Sequence, residues 1–235
     1  SGYMPENTLP SFRKAVELGA DGIELDIQLS KDGEIVVCHD EMVDRTSNAK
    51  GWLKDYTLAE LKEMDFSYQF KELGKVSIPT MKEVFELLKP TNLIINIELK
   101  TGIFDYEGIE EKIIALTHAE GFEDRVIYSS FNHYSIMKIQ ELDPNAKTAF
   151  LYSDGPLDMP LYGYEHHVNA LHPAAYNLRL PDFMEECNVY HLDVNVWTVN
   201  TEEIALMCLK YGVNTLITNY PDRIKKVIEQ YETGI

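Results

Sequence analysis

The chain has 235 residues, with 39 Asp and Glu against 21 Lys and Arg and a formal charge of −18; this excludes the basic face that a nucleic-acid partner calls for. Hydrophobic residues make up 45% and charged residues 26%, the balance of a globular protein with room for a sizeable core. No apolar run is long enough to span a bilayer, which argues against stable membrane insertion.

Strand-like and helix-like segments alternate almost throughout, the pattern of an α/β fold with a mostly parallel sheet. Leu9, Phe12, Val16 and Ala20 give a first helix its apolar stripe; Asn7 or Thr8 suits its start and Gly19 lies near its end. The strand I-E-L-D-I (23–27) follows. Residues two apart on a strand share a face, so Glu24 and Asp26 lie on one side and Ile23, Leu25 and Ile27 on the other. Two like charges so close repel, and a divalent cation between them removes the conflict; the alternative is an edge strand with a solvated polar face.

Only S-K-D-G separates this strand from E-I-V-V-C-H (34–39), too short for a parallel crossover. Asp32-Gly33 reads as a tight turn, and the resulting antiparallel hairpin brings His39 level with Glu24 and Asp26. Residues from Asp40 to about Ile78 carry one helix-like stretch, 58–64, and read as an insertion over a barrel mouth rather than a further βα unit. Beyond it the spacing predicts helices over 81–89, 107–120, 135–142, 181–187, 201–211 and 222–231. Between them lie the strands L-I-I-N-I-E-L, V-I-Y-S-S-F, K-T-A-F-L-Y, N-A-L-H-P-A, D-V-N-V-W-T-V and T-L-I-T-N. Seven strands in a βα rhythm, with polar groups gathered at their C-terminal ends, suit a TIM-type (β/α)8 barrel better than an open doubly wound sheet. No glycine-rich phosphate loop follows any strand. The whole chain, 1–235, is expected to form one such domain, with an insertion at about 40–78.

N-I-E-L-K (96–100) repeats the acidic device, with Glu98 and Lys100 on one face. If the two acidic strands lie side by side, Glu24, Asp26 and Glu98 form an all-oxygen site suited to Mg²⁺ or Ca²⁺. The competing reading makes Glu98 and Lys100 a barrel-lining ion pair. Lys100 suits a phosphate oxygen or a leaving group as a point charge, and such a lysine with a bound cation would offset the repulsion of an anionic substrate by this acidic surface. His39 suits general acid/base work. His118, His133, His166, His167 and His191 lack comparable company and read as surface or core residues; His172, at a strand end before Pro173, stands apart. Phe131 and Trp197, also at strand ends, read as pocket wall or as core. Cys38, Cys187 and Cys208 show neither metal spacing nor a paired framework, which predicts a reducing, cytoplasmic compartment.

P-E-N-T (5–8), D-G-I-E-L-D-I-Q-L-S-K-D-G (21–33), V-V-C-H-D (36–40), D-R-T (44–46), I-P-T (78–80), N-I-E-L-K (96–100), S-S-F (129–131), V-W-T-V-N (196–200) and I-T-N-Y-P-D (217–222) occur in the order seen in glycerophosphodiester phosphodiesterases. Essentially the whole chain resembles that family. The resemblance implies a (β/α)8 barrel with an inserted segment after its second strand. It also implies metal-dependent hydrolysis of a small-molecule glycerophosphodiester to glycerol 3-phosphate and an alcohol. On that resemblance Glu24, Asp26 and Glu98 bind the divalent ion, His39 is one of two acid/base histidines, and Lys100, Phe131 and Trp197 contact the substrate or line its pocket.

The sequence departs from the family at its start. Members open with a strand ending in His-Arg-Gly, whose histidine is the other acid/base residue and whose arginine binds phosphate; here that first barrel strand is absent. The expectation is that these residues are part of a longer chain, with an intact mass above the 27.0 kDa of this sequence. For the 235 residues alone, the expectation is severe loss of activity and an open seam between the first and last strands. Three rival readings are a barrel that binds phosphodiesters without cleaving them, a related phospholipid phosphodiesterase, and a sugar- or aldol-processing barrel. The alcohol group and the oligomeric state are not encoded in any of these motifs.

Overall fold

The computed structural model describes residues 1–234. Eight strands build one sheet: β1 (Gly22–Leu29), β2 (Ile35–Val37), β3 (Ile94–Leu99), β4 (Val126–Ser130), β5 (Lys147–Tyr152), β6 (Ala170–Pro173), β7 (Asp193–Val196) and β8 (Thr215–Leu216). Their order is β2-β1-β3-β4-β5-β6-β7-β8. Every neighbouring pair is parallel except β1 with β2. All seven strands of the βα series are present, and the hairpin supplies the eighth. The hairpin ladder runs only from Ile27↔Val37 to Leu29↔Ile35, so Glu34 and His39 fall outside it. The fold is α/β of the TIM-barrel type, with a sheet that curls without closing: among the described residues β8 pairs with β7 alone.

The helices α1 (Leu9–Glu17), α2 (Leu58–Glu63), α3 (Met81–Leu88), α4 (Ile109–Glu120), α5 (His133–Leu142), α6 (Met159–Glu165), α7 (Phe183–Val189), α8 (Glu202–Tyr211) and α9 (Pro221–Thr233) surround the sheet. Local chemistry sets several of their starts. Thr8, Thr57 and Thr80 each accept a hydrogen bond from the third helical backbone N–H, in reciprocal capping boxes with Ser11, Glu60 and Glu83. The helix α6 was not foreseen, because M-P-L-Y-G-Y-E carries proline and glycine. Pro160 sits in its first turn, where its missing N–H costs nothing. Gly163 lets the helix approach β6, since a Cβ there would lie 3.0 Å from Leu171 Cδ2.

The two faces of the sheet divide the labour. One face carries Leu25, Ile27, Ile97, Leu99, Tyr128, Phe150, Leu171 and Val194, buried against Phe12, Val84, Phe85, Ile113 and Ile139 of the helices. The register gives the other face Glu24, Asp26, Glu98 and Ser129, so the concave side begins as a polar surface. Segment 40–78 has a small core of its own, in which Val43, Leu53, Leu61, Met64, Phe66 and Ile78 pack on Val36 and Cys38.

Residues 1–8 run from the segment beyond β8 to β1. Gly2 N–H donates to Asn219 O at 3.1 Å, and Tyr3 packs edge-on against Tyr220 with ring centroids 5.5 Å apart. At the other end Asn7 Nδ2 donates to Asp26 Oδ2 at 2.8 Å, and Asp26 N–H donates to Asn7 Oδ1 at 3.2 Å.

Candidate active site

The β1–β3 ladder sets Asp26 opposite Glu98, with Glu24 one strand repeat below Asp26. Oxygen atoms of the three carboxylates lie within 4.8 Å of one another. Asp26 and Glu98 are only 2% and 7% exposed, and Lys100 Nζ lies 3.1 Å from Glu98 Oε1 and 3.8 Å from Asp26 Oδ1. One ammonium among three carboxylates leaves an excess of negative charge.

That excess shows in the protonation of the groups. Loss of water in the cleft, then the charges of Asp26 and Glu98, push the Glu24 carboxyl well above the usual range. Burial and the Asp26 charge raise Glu98 to about 7, against the opposing pull of Lys100 and the weaker one of His39. Burial alone would lower Lys100, but the charges of Glu98 and Asp26 outweigh it and hold the ammonium above its ordinary value. Asp26 Oδ1, buried, makes no hydrogen bond. An orphaned carboxylate oxygen beside two further acids is a donor set that fits a hard divalent cation, which takes oxygen ligands.

The hairpin places His39 beside this cluster. Cys38 N–H donates to Asp26 O at 3.0 Å, which sets the next residue level with the acids. The turn is held from below by Gln28, which is fully buried. Its Nε2 donates to Cys38 O and to Asp40 O, both at 2.8 Å, while its Oε1 accepts from Tyr106 OH at 2.8 Å. The imidazole is exposed, and its Nδ1 lies 2.6 Å from Asp40 Oδ1.

Phe131 follows β4 and Trp197 follows β7, just beyond the strand ends. Their rings meet edge to face at 5.8 Å and 82°, and Trp197 Nε1–H donates to His172 O at 2.8 Å. Phe131 is 45% exposed, so the alternative of a core position does not hold for it. His172 is wholly buried, and burial pushes its imidazole down to about 3, leaving it neutral. Its Nε2 lies 2.8 Å from Asn195 Nδ2. Of the supports around the acids and His39, Gln28 and Tyr106 carry no expected role, and Asn7 is expected only as a candidate helix cap, a place that Thr8 takes while Asn7 turns to Asp26. Asn7 did lie within P-E-N-T and Gln28 within the long acidic motif.

The chain is similar to several known proteins. The family model described as the Glycerophosphoryl diester phosphodiesterase family matches residues 1–223. A glycerophosphodiester phosphodiesterase of Caldanaerobacter subterraneus subsp. tengcongensis is 42% identical over 231 residues, covering 98% of this chain and 95% of that protein. One from Bacillus altitudinis is 41% identical over 235 residues, covering 97% and 95%. Among solved structures, an Oleispira antarctica phosphodiesterase in complex with the product sn-glycerol-3-phosphate superposes with a TM-score of 0.86 at 28% identity, covering 97% of this chain and 93% of that one.

Proposed function

The chain belongs to the glycerophosphoryl diester phosphodiesterase family, and on that premise we propose that it hydrolyses glycerophosphodiesters to glycerol 3-phosphate and an alcohol with the aid of a divalent cation. The observation that carries this reading is the acidic cluster, with its orphaned Asp26 Oδ1, set beside Lys100 and His39 on one face of the sheet. Glu24, Asp26 and Glu98 are the residues that would hold Mg²⁺ or Ca²⁺. A bound ion supplies positive charge that draws in the non-bridging phosphate oxygens and offsets the charge gathering at phosphorus.

The chain's own side chains take the remaining roles. Lys100, kept cationic by its two acidic neighbours, binds a phosphate oxygen as a point charge. His39, with Nδ1 engaged by Asp40, holds or moves a proton at Nε2. Phe131 and Trp197 form an aromatic wall for the organic part of the diester. In the net reaction the P–O bond to the alcohol breaks, phosphorus gains an oxygen derived from water, and one proton ends on the alcohol. The chain acts as one barrel domain, in which segment 40–78 shapes the side where the alcohol lies. No helix of the described residues is long and apolar enough to cross a membrane, and the three buried, unpaired cysteines favour a reducing, cytoplasmic setting.

The test is release of glycerol 3-phosphate from glycerophosphocholine and glycerophosphoethanolamine. The reading expects turnover, slow for these 235 residues as the departure at their start predicts, that EDTA abolishes and Mg²⁺ or Ca²⁺ restores. Turnover that survives EDTA, or binding of both diesters without cleavage, contradicts it.

A further inference from the structure

Resting on the reading of His39 as the proton-transfer group, we propose that Glu6 and Arg45 are positioning residues that fix the ring of His39 through Asp40. Both come from motifs left without a role, P-E-N-T and D-R-T, and lie 39 residues apart in the chain. The Arg45 guanidinium grips two carboxylates at once. Nε donates to Asp40 Oδ2 at 2.7 Å and Nη2 to Asp40 Oδ1 at 2.8 Å. Toward the other side, Nη1 donates to Glu6 Oε2 at 2.8 Å and Nη2 to Glu6 Oε1 at 2.6 Å. Asp40 Oδ1 is then left at 2.6 Å from His39 Nδ1.

The consequence is orientational. A planar fork with both edges occupied prevents Asp40 from turning away. The same pairing, with Arg45 first and His39 adding to it, holds the Asp40 carboxyl down at about 2 despite partial burial, so it is an acceptor throughout the working range. An acceptor at Nδ1 requires the proton there, and the neutral ring then presents its Nε2 lone pair to the cleft. Stability alone gives little reason for the network, because exposed ion pairs contribute about 0–1 kcal/mol each. The charged groups beyond the turn are Glu24 and Asp26 on the neighbouring strand β1 and, one strand further, Glu98 and Lys100, which are engaged with each other.

The readout is the tautomer of His39, followed by ring-¹⁵N NMR at a pH where the ring is neutral and assigned by the signal lost in His39→Gln. In the unaltered chain nearly all of the ring should carry its proton on Nδ1. Arg45→Met and Asp40→Asn should bring the two tautomers to comparable populations, Glu6→Gln should give an intermediate mixture, and Arg45→Lys, which keeps the charge without the fork, should not restore the ratio. On glycerophosphocholine, Arg45→Met should lower kcat about tenfold or more while KM stays within about twofold, a loss within the contribution of one positioned acid/base group. Glu6→Gln is nearly isosteric and partly exposed, so it serves where another variant fails to fold. An unchanged tautomer ratio in folded Glu6→Gln and Arg45→Met overturns the proposal. If the unaltered chain cleaves no diester, the functional reading fails while the tautomer measurement still decides this one.

Discussion

Asp26 and Glu98 face each other across the β1–β3 ladder, yet the one lysine between them is shared unequally. Lys100 Nζ is in hydrogen-bonding contact with Glu98 at 3.1 Å and stands off from Asp26 at 3.8 Å. Asp26 therefore keeps a buried oxygen with no hydrogen bond, and the cluster as a whole is short of positive charge.

Relieving that shortage should stabilise the fold. In EDTA, Glu24→Gln removes an acid whose ionisation burial and the carboxylates within 4.8 Å oppose, and a gain of about 1 kcal/mol should raise Tm by roughly 2–4 °C. Mg²⁺ or Ca²⁺ should raise Tm for the unaltered chain and have little effect on the variant. A lower Tm for the variant in EDTA contradicts the charge imbalance.

Asn7 should act through Asp26. Its side chain bonds both the carboxylate and the backbone N–H of that residue, which turns Oδ2 away and leaves Oδ1 toward the cluster. Asn7→Ala should weaken divalent-ion binding about tenfold, the usual cost of losing a group that orients a ligand. Titration calorimetry checks this, and unchanged affinity would show that Asp26 is oriented by its strand alone.

Gln28 carries a heavier structural duty. Gln28→Ala strips partners from Cys38 O, Asp40 O and the Tyr106 hydroxyl beneath the His39 turn. Buried polar groups left unpaired predict a loss of about 3 kcal/mol in urea unfolding. A loss under about 1 kcal/mol would mean that the turn is held mainly by the hairpin.

His172 gives the stability a pH dependence. In the folded chain it stays neutral down to about 3 because it is buried, whereas the unfolded chain takes up a proton near 6.5. Its contribution is thus complete above about pH 6.5 and is lost as the pH falls from there toward 3, by about 2 kcal/mol between pH 6.5 and 5. His172→Gln should flatten that limb of the curve in denaturation series at pH 7 and pH 5. An equal slope in both proteins would assign the acid sensitivity to other groups.

Much of this was legible in local pattern. Alternation in I-E-L-D-I and N-I-E-L-K puts the acids on one face whatever the tertiary context, and the short Asp32-Gly33 turn forces β2 to fold back toward Asp26. The adjacency of β1 and β3 was a condition rather than a reading, since nothing local encodes which strands pair across segment 40–78. The helix α6 was hidden because Gly163 serves close packing on Leu171 while looking like a breaker. The supports of the site were hidden for a different reason. Asn7 with Asp26, Tyr106 with Gln28, and Arg45 with Glu6 are isolated polar pairs spanning 19, 78 and 39 residues, and no periodicity marks them.

The most direct test of the central claim is isothermal titration of the EDTA-stripped, desalted chain with Mg²⁺ and with Ca²⁺, alongside Asp26→Asn and Glu98→Gln. One ion per chain for the unaltered protein, with binding lost or weakened at least about tenfold in each variant, is the result expected of Glu24, Asp26 and Glu98 as ion ligands. Equal stoichiometry and affinity in all three proteins, or no binding by the unaltered chain, would contradict it.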